Sequence, residues 1–183
     1  IICPRSFSIP AQSLADMHNL EVDMKYQLNT DVVFTNSISN NITAMELRDY
    51  ILQRIDNDLK FLLLFGDETY IPPILYDSSD NNYPSDDFYS TPANGIFIGD
   101  PQLYTGRIPV GTVEDASTVV EKIREYILNP TPGIWKSKVA LVADDMYRSC
   151  SLDEGESSHT SYTEELYNSL KTLLPVQPFY GLH

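Results

Sequence analysis

The chain has 183 residues, 42% of them hydrophobic, and its 26 acidic and 12 basic residues give a formal net charge of -14. This hydrophobic content is enough for a core in one domain or in two small domains that share an interface. A field of this sign repels nucleic acid and anionic lipid, and no apolar run of about twenty residues exists to span a bilayer, so we expect neither nucleic acid binding nor membrane insertion.

The first third of the chain predicts alternating strands and helices. A strand at 1–3 precedes a helix over 11–20, and a second strand covers 32–34. A further helix begins at Thr43, whose hydroxyl forms a capping box with the Glu46 carboxylate. The buried stripe of this helix consists of residues four apart in sequence: Leu47, Ile51 and Ile55. This order predicts an α/β fold, a doubly wound parallel sheet with helices on both faces.

The central strand is predicted at 61–65, where five large apolar residues stand together. Such a run is typical of a strand that is buried on both faces of a parallel sheet. Gly66 permits a sharp turn, and Asp67 is then presented at the carboxyl end of the strand. Because open α/β sheets bind ligands at this edge, we expect the functional site there.

Residues 66–106 show no regular period, apart from a short candidate strand at 96–98, and a connection of this length is usually functional. The stretch between Lys60 and Arg107 contains no Lys or Arg. It contains seven carboxylates: Asp67, Glu68, Asp77, Asp80, Asp86, Asp87 and Asp100. Folded against the sheet edge, these carboxylates repel one another unless a cation or solvent relieves them. The segment is therefore either a candidate site for a hard cation such as calcium or a solvated acidic face.

A strand returns within 104–110, and Thr112 with Asp115 caps the next helix. The apolar stripe of that helix is predicted to contain Ala116, Val119, Ile123 and Ile127. The helix ends in a stretch rich in proline and glycine, which marks a boundary between two subdomains, residues 1–132 and 133–183.

The second subdomain begins with a buried strand at 138–143 that ends on the pair Asp144 and Asp145. A polar loop over 146–158, a helix over 160–174 and the start of one more strand at Val176 follow. The pattern again predicts a strand, a helix and a parallel strand.

Two kinds of candidate chemistry stand out from the residues alone. Asp67 and Asp145 each follow a buried strand, where a doubly wound fold places its ligands, although an aspartate there also serves as a turn former or helix cap. Cys150 and His159 lie close in sequence, as in a thiolate activated by imidazole. No turn that could form an oxyanion site accompanies Cys150, which argues against a catalytic role.

Several short motifs, in the same order along nearly the whole chain, resemble those of the gingipain-type cysteine proteases. They are the strand 61–67 with Ile71-Pro72-Pro73, the segment 83–89, the Gly-Arg turn of 106–110, Trp135 with the strand end at 143–145, and Gly155-Glu156-Ser157. The resemblance implies a first α/β subdomain followed by the opening of a caspase-like catalytic subdomain.

The resemblance also implies site residues. Catalysis in that family belongs to a Cys and a His at later strand ends, and both are expected outside this chain. The carboxylate that orients the His corresponds to Asp145, where the gingipains carry Glu. A calcium site corresponds to Asp67 together with Asp100 and Gln102, and Glu156 matches a second calcium position.

The function implied is that of the amino-terminal portion of a secreted cysteine endopeptidase, which acts on protein or peptide substrates outside the cell or at its surface. The chain alone is expected to be inactive. The alternative is a non-catalytic metal-binding or receiver-like module on the same sheet. A receiver needs an acidic pair after its first strand and a later Lys at a strand end, whereas Asp144 and Asp145 come late.

Overall fold

The computed structural model describes residues 1–55, 59–77, 82–91, 100–143, 147–148, 151–152, 157–173 and 176–180. The chain divides into two compact units, Ile1–Pro130 and Thr131–His183. The boundary expected from the sequence lies slightly later, at residue 132.

Short strands and helices alternate in the described part of the first unit. The strands are β1 (Ile2–Cys3), β2 (Val33–Phe34), β3 (Phe61–Phe65), β4 (Ile74–Asp77), β5 (Asn82–Ser85) and β6 (Tyr104–Ile108). The α-helices are α1 (Ser8–Asp16), α2 (Thr35–Ile38), α3 (Ala44–Ile55) and α4 (Val113–Leu128). Shorter helical turns are the 3₁₀ turns Arg5–Phe7, Met24–Tyr26 and Asp87–Tyr89 and the π-helical turn Met17–Glu21.

Four of the strands form one sheet in the order β2-β1-β3-β6, and all three pairings are parallel. The strand β3 lies inside this sheet, with Leu64 opposite Ile2 of β1 and Phe61 opposite Tyr104 of β6. Parallel neighbours need crossover connections, and the helices between the strands provide them. The predicted parallel α/β fold is confirmed.

The core occupies both faces of the sheet, because successive residues of a strand point to opposite sides. On one face Leu62 and Leu64 lie in the cluster that contains Leu47 and Ile51 of α3. On the other face Phe65 joins buried side chains of α1 and α4: Ala11, Leu14, Ala116 and Val120. Burial of each large aliphatic side chain contributes about 1.5–3 kcal/mol before its entropy loss is counted. The sheet is therefore wound on both sides, as predicted.

Both predicted helix caps are present. The Thr43 amide donates to Glu46 Oε2 over 2.9 Å, and the Glu46 amide donates to Thr43 Oγ1 over 3.2 Å, which completes the capping box of α3. At the start of α4, the Asp115 amide donates to Thr112 Oγ1 over 3.1 Å. These bonds satisfy amides of the first turn that have no partner inside the helix.

The buried stripe of α4 differs from the prediction at its far end. Ala116 and Val120 are buried, but Ile127 is 40% exposed. The 16 residues of α4 span about 24 Å, whereas the 5 residues of β6 span about 17 Å. The last turn of α4 therefore extends past the sheet that would have covered Ile127.

The first helix begins at Ser8, three residues earlier than predicted, and continues into the π-helical turn at 17–21. Side-chain bonds explain this wide turn. Asn19 donates from Nδ2 to the Thr30 carbonyl over 3.0 Å and accepts from the Thr30 amide over 2.7 Å, while the His18 carbonyl accepts from the Leu28 amide over 2.9 Å. The loop that follows takes up backbone groups that the helix leaves free.

The prediction of an irregular segment at 66–106 is wrong in part. The strands β4 and β5 form an antiparallel hairpin, with Ile74 opposite Ser85 and Leu75 opposite Pro84. Pro84 is unfavourable in strands and obscures the alternating pattern. The candidate strand at 96–98 lies outside the described residues.

The central strand also departs from its prediction at one end. Phe61 is 57% exposed and stacks on Tyr104, with 5.4 Å between ring centroids. Leu62, Leu64 and Phe65 are buried. Burial on both faces therefore begins only after the first residue of β3.

The second unit contains, in its described part, β7 (Val139–Ala143), β8 (Tyr147–Arg148), β9 (Ser151–Leu152), α5 (Ser157–Leu170) and β10 (Val176–Tyr180). The strands β7 and β10 pair in parallel, with Val139 opposite Val176, and α5 contacts both. The strands β8 and β9 form a short antiparallel hairpin inside the predicted polar loop. The helix α5 begins three residues earlier than predicted and ends four earlier.

Candidate functional site

The carboxyl-terminal edge of the first sheet begins with the turn at Gly66. Its φ of +152° is strained for other residues, and a Cβ there would lie 3.3 Å from the Cβ of Tyr70. Backbone pairing continues past β3, because the Gly66 amide donates to the Ile108 carbonyl over 3.0 Å and the Asp67 amide to the Val110 carbonyl over 3.1 Å. These bonds fix Asp67 at the edge where the sequence predicts it.

Asp67 is half-buried and forms the turn that follows. Its Oδ1 accepts from the amide of Thr69 over 3.0 Å and also from the Thr69 hydroxyl. Its carbonyl accepts from the amides of Tyr70 and Ile71 over 3.2 and 2.9 Å. The other carboxylate oxygen, Oδ2, faces Gly111, where a Cβ would stand only 2.7 Å away. These contacts support the turn-former interpretation of Asp67.

Arg107 is the hydrogen-bonding centre of this edge. Its Nε donates to Asp86 Oδ2 over 2.7 Å and its Nη2 to Asp86 Oδ1 over 2.6 Å, which makes a bidentate ion pair. Its Nη1 donates to the carbonyls of Gly66 and Ile71 over 2.9 and 3.0 Å. One side chain therefore joins β6, the turn of residues 66–71 and the start of the 3₁₀ turn at 87–89.

The charge of this guanidinium is stabilised by its surroundings. Burial opposes the charge, but the hydrogen bonds and charge of Asp86, with contributions from Tyr89 and Glu68, outweigh it and raise the pKa of Arg107 above its usual value. Arg107 is therefore charged at neutral pH.

Tyr89 anchors the same segment in the core. The side chain is fully buried, its hydroxyl donates to the Pro72 carbonyl, and its amide donates to the Asp86 carbonyl over 3.0 Å. Burial, together with the charge of Asp86, raises the pKa of Tyr89. Three motifs that are separate in sequence, namely the Ile-Pro-Pro run, the Ser-Asp-Asp-Phe-Tyr run and the Gly-Arg turn, thus meet in one network.

A second guanidinium reaches this segment from α3. Arg48 is 8% exposed, and its Nε and Nη2 donate to the carbonyls of Phe88 and Thr91 over 3.1 and 2.9 Å. The guanidinium also lies 4.6 Å from the centre of the Phe88 ring. Arg48 and Arg107 hold the segment from two sides.

The predicted calcium ligands of the first unit are not brought together. Asp100 and Gln102 precede β6, whose Tyr104 lies opposite Phe61, whereas Asp67 follows the far end of β3. The length of β3 alone separates the two sets by about 13 Å. Calcium ligands lie within about 2.6 Å of the ion, so one ion does not contact both sets. These three residues do not fit a common calcium site.

The remaining predicted residues concern the second unit. Asp145, Glu156 and Cys150 lie outside the described residues, so their roles stay predictions. His159 is exposed near the start of α5, where its carbonyl accepts from the Thr163 hydroxyl over 2.8 Å. Within the described ranges, no three side chains of Asp, Glu, His or Cys converge as metal ligands.

The roles of the two arginines were not predicted from the sequence. A signal for Arg107 exists, since it is the one basic residue between Lys60 and Lys122 and follows a run of carboxylates. Its position on a predicted strand, near a glycine, indicates an ion pair at a sheet edge. Arg48 has no comparable signal, because an arginine on a helix is most often solvated.

Comparisons with known proteins agree with the fold. A model of peptidase family C25 matches residues 1–181. The structure of the complex of pro- and mature domains of RgpB from Porphyromonas gingivalis matches with a TM-score of 0.75 and 19% identity, over 99% of this chain and 42% of that chain. The crystal structure of the Arg-specific cysteine proteinase gingipain R (RgpB) also gives 0.75 and 19%, over 99% and 40%.

A third structure, described only as a protease, gives a TM-score of 0.62 and 22% identity over 80% of this chain and 32% of that chain. No curated protein matches the sequence. In the described part of the chain, no helix combines the length and apolar character that crossing a bilayer requires. Since the family model covers residues 1–181 of 183, the chain belongs to peptidase family C25, the gingipain family of cysteine peptidases.

Proposed function

We propose that this chain is the amino-terminal portion of a secreted cysteine endopeptidase. The observation that carries the proposal is the family match over residues 1–181, together with a gingipain-like fold over 99% of the chain. The chain spans 42% and 40% of the two gingipain chains, which leaves room for a nucleophile and a base elsewhere in a longer protein. The family match favours this function over a receiver-like module.

The reaction is attack of a Cys thiolate on a peptide carbonyl, with a His as general base. The amine leaves, and water then hydrolyses the acyl-enzyme. Cys3 is unsuited to this role, because it is fully buried and burial raises the pKa of its thiol to about 11. This chain contributes the scaffold and, at Asp145, the carboxylate that orients the His.

The substrates are proteins or peptides with basic side chains. A net charge of -14 attracts cationic peptides and raises their local concentration near the protein. The specificity for Arg in the name of gingipain R is consistent with this substrate class. We expect KM for a basic peptide to rise as salt screens the field.

Peptidase assays on this chain and on a longer product of the same gene test the proposal. In the presence of a reducing agent, the longer protein cleaves a basic peptide and loses this activity after alkylation with iodoacetamide. The 183-residue chain is inactive under the same conditions. Thiol-dependent activity in the short chain, or none in the long one, contradicts the proposal.

The orienting role of Asp145 is tested in the longer protein. Asp145→Asn lowers kcat by roughly 10²-fold to 10⁴-fold, because the His loses its correct tautomer and orientation. Asp144→Asn is the matched control and leaves kcat unchanged. Equal effects of the two substitutions remove Asp145 from the mechanism.

A further inference from the structure

The acidic segment, defined as residues 66–91, carries six of the seven carboxylates between Lys60 and Arg107. Where the segment packs against the carboxyl-terminal edge, either a cation or solvent must relieve this negative charge. We infer that Arg107 is the internal cation that holds the acidic segment against the sheet, a role for which the run of carboxylates also suggested a hard cation such as calcium. The inference concerns folding and does not depend on the proposed peptidase function.

Two carboxylates of the described segment, those of Asp86 and Asp67, already have protein donors. Both oxygens of Asp86 accept from Arg107, and Oδ1 of Asp67 accepts twice from Thr69. The pair is shielded from water, since the side chains of Arg107 and Asp86 are 15% and 26% exposed. A half-buried carboxylate that is satisfied in this way needs no metal ion to relieve its charge.

The geometry requires arginine and not merely a positive charge. Arg107 donates in two directions at once, to the Asp86 carboxylate and to the two carbonyls at the ends of the 66–71 turn. A planar guanidinium supplies these donors in a fixed fork, whereas a lysine ammonium is a compact point charge. Arg107→Lys is therefore expected to recover only a minor part of the effect of removing the side chain.

The acidic segment also reaches the hydrophobic core next to this ion pair. The 3₁₀ turn that follows Asp86 places Phe88 and Tyr89 in the cluster on the α3 face. Arg48 is a separate contact to the same turn, because its Nε donates to the carbonyl of Phe88. Arg107 thus pairs with the charge of Asp86, and Arg48 bonds backbone carbonyls of the same segment.

The experiment compares thermal unfolding of the 183-residue chain and its variants in EDTA and in millimolar calcium. Arg107→Gln is expected to lower Tm by about 8 °C, because it leaves a half-buried carboxylate and two carbonyls without donors. Asp86→Asn keeps the carbonyl bonds and is expected to lower Tm by about half as much. The wild-type Tm is expected to differ by less than about 1 °C between EDTA and calcium.

Arg124→Gln is the matched control. Arg124 also forms a bidentate pair, in which Nη1 and Nη2 donate to the two carboxylate oxygens of Glu21 over 2.8 and 2.6 Å. That pair is more exposed, at 27% and 39%, and it lies outside the acidic segment. Its loss is expected to lower Tm by about 2 °C.

Hydrogen exchange provides a local readout that a general loss of stability would not reproduce. The amides of Tyr89 and Gln102, which donate to Asp86 and Ser90, are expected to lose protection in Arg107→Gln and Asp86→Asn but to keep it in Arg124→Gln. Retained protection in Asp86→Asn overturns the inference. So does a fall in wild-type Tm in EDTA as large as that caused by Arg107→Gln.

Discussion

The two edges of the first sheet share two strands but differ in how they are held. At the carboxyl-terminal edge, β3 and β6 lead into a turn, a bidentate ion pair and a buried tyrosine that are joined by hydrogen bonds. At the amino-terminal edge, the same strands present Phe61 and Tyr104, which stack on each other while 57% and 75% exposed.

The difference shows that the ion pair and the side-chain hydrogen bonds lie at the edge where doubly wound folds bind ligands. Both edges contain acidic residues, so charge alone does not distinguish them. What distinguishes the carboxyl-terminal edge is the bidentate pair of Arg107 and Asp86, whose guanidinium also donates to two backbone carbonyls. The predictions that follow test this contrast, in order of expected effect.

Tyr89→Ala is expected to have the largest effect, about 4 kcal/mol on the free energy of unfolding. The substitution leaves a cavity in place of a fully buried ring and removes the donor to the Pro72 carbonyl. Tyr104→Ala at the other edge should cost less than about 1 kcal/mol, because that side chain is 75% exposed. Urea denaturation followed by circular dichroism measures both, and similar losses would contradict the contrast between the edges.

Gly66→Ala is expected to cost about 2 kcal/mol. A side chain at φ +152° is strained, and its Cβ would crowd the Cβ of Tyr70 at 3.3 Å. Gly106→Ala is the matched control, since no atom lies within 4 Å of a Cβ there, and its effect should stay within about 0.5 kcal/mol. The same urea titrations measure the pair, and a neutral Gly66→Ala would show that the turn adapts freely.

The fold was predictable because local signals agreed with one another. The apolar run at 61–65, the capping box at Thr43 and the cap at Thr112 each set an element that the structure contains. The hairpin at 74–85 was not predictable, since Pro84 breaks the alternation by which strands are recognised. Local periodicity carries no information about such pairings.

The site was predictable only as a location. The turn at Gly66 and the position of Asp67 follow from a strand that ends in Gly-Asp, but the partners of Asp67 depend on residues far along the chain. Arg107 and Asp86 are 21 residues apart, so no local sequence pattern connects them. The expected grouping of Asp67 with Asp100 ignored that parallel strands place these residues at opposite edges.

The stack at the amino-terminal edge should contribute about 0.5 kcal/mol. A double-mutant cycle of Phe61→Ala and Tyr104→Ala isolates this coupling, because the rings lie 5.4 Å apart with an angle of 27° between their planes. Thermal or urea unfolding of the four proteins gives the coupling energy. A value near zero would mean that the rings are merely adjacent and that this edge gains nothing from their contact.

The smallest expected effect is a pH dependence that arises at the start of α3, which follows β2 and α2 in the chain. Hydrogen bonds from the amide of Thr43, and then from its hydroxyl, hold the pKa of Glu46 below its ordinary value of 4.5. A carboxylate with a lowered folded pKa stabilises the protein above its ordinary pKa, and this contribution disappears as the pH falls through the folded value. The capping box should therefore be intact at pH 7 and lost in acid.

Glu46→Gln tests this sign. The difference in urea midpoint between wild type and Glu46→Gln should be present at pH 7 and shrink as the pH falls below 4.5. Phe61→Ala serves as the control from the amino-terminal edge, because it removes no ionisable group and its midpoint difference should not follow this trend. A difference for Glu46→Gln that stays constant with pH would show that the carboxylate charge adds nothing to the cap, and that the two edges respond alike to acid.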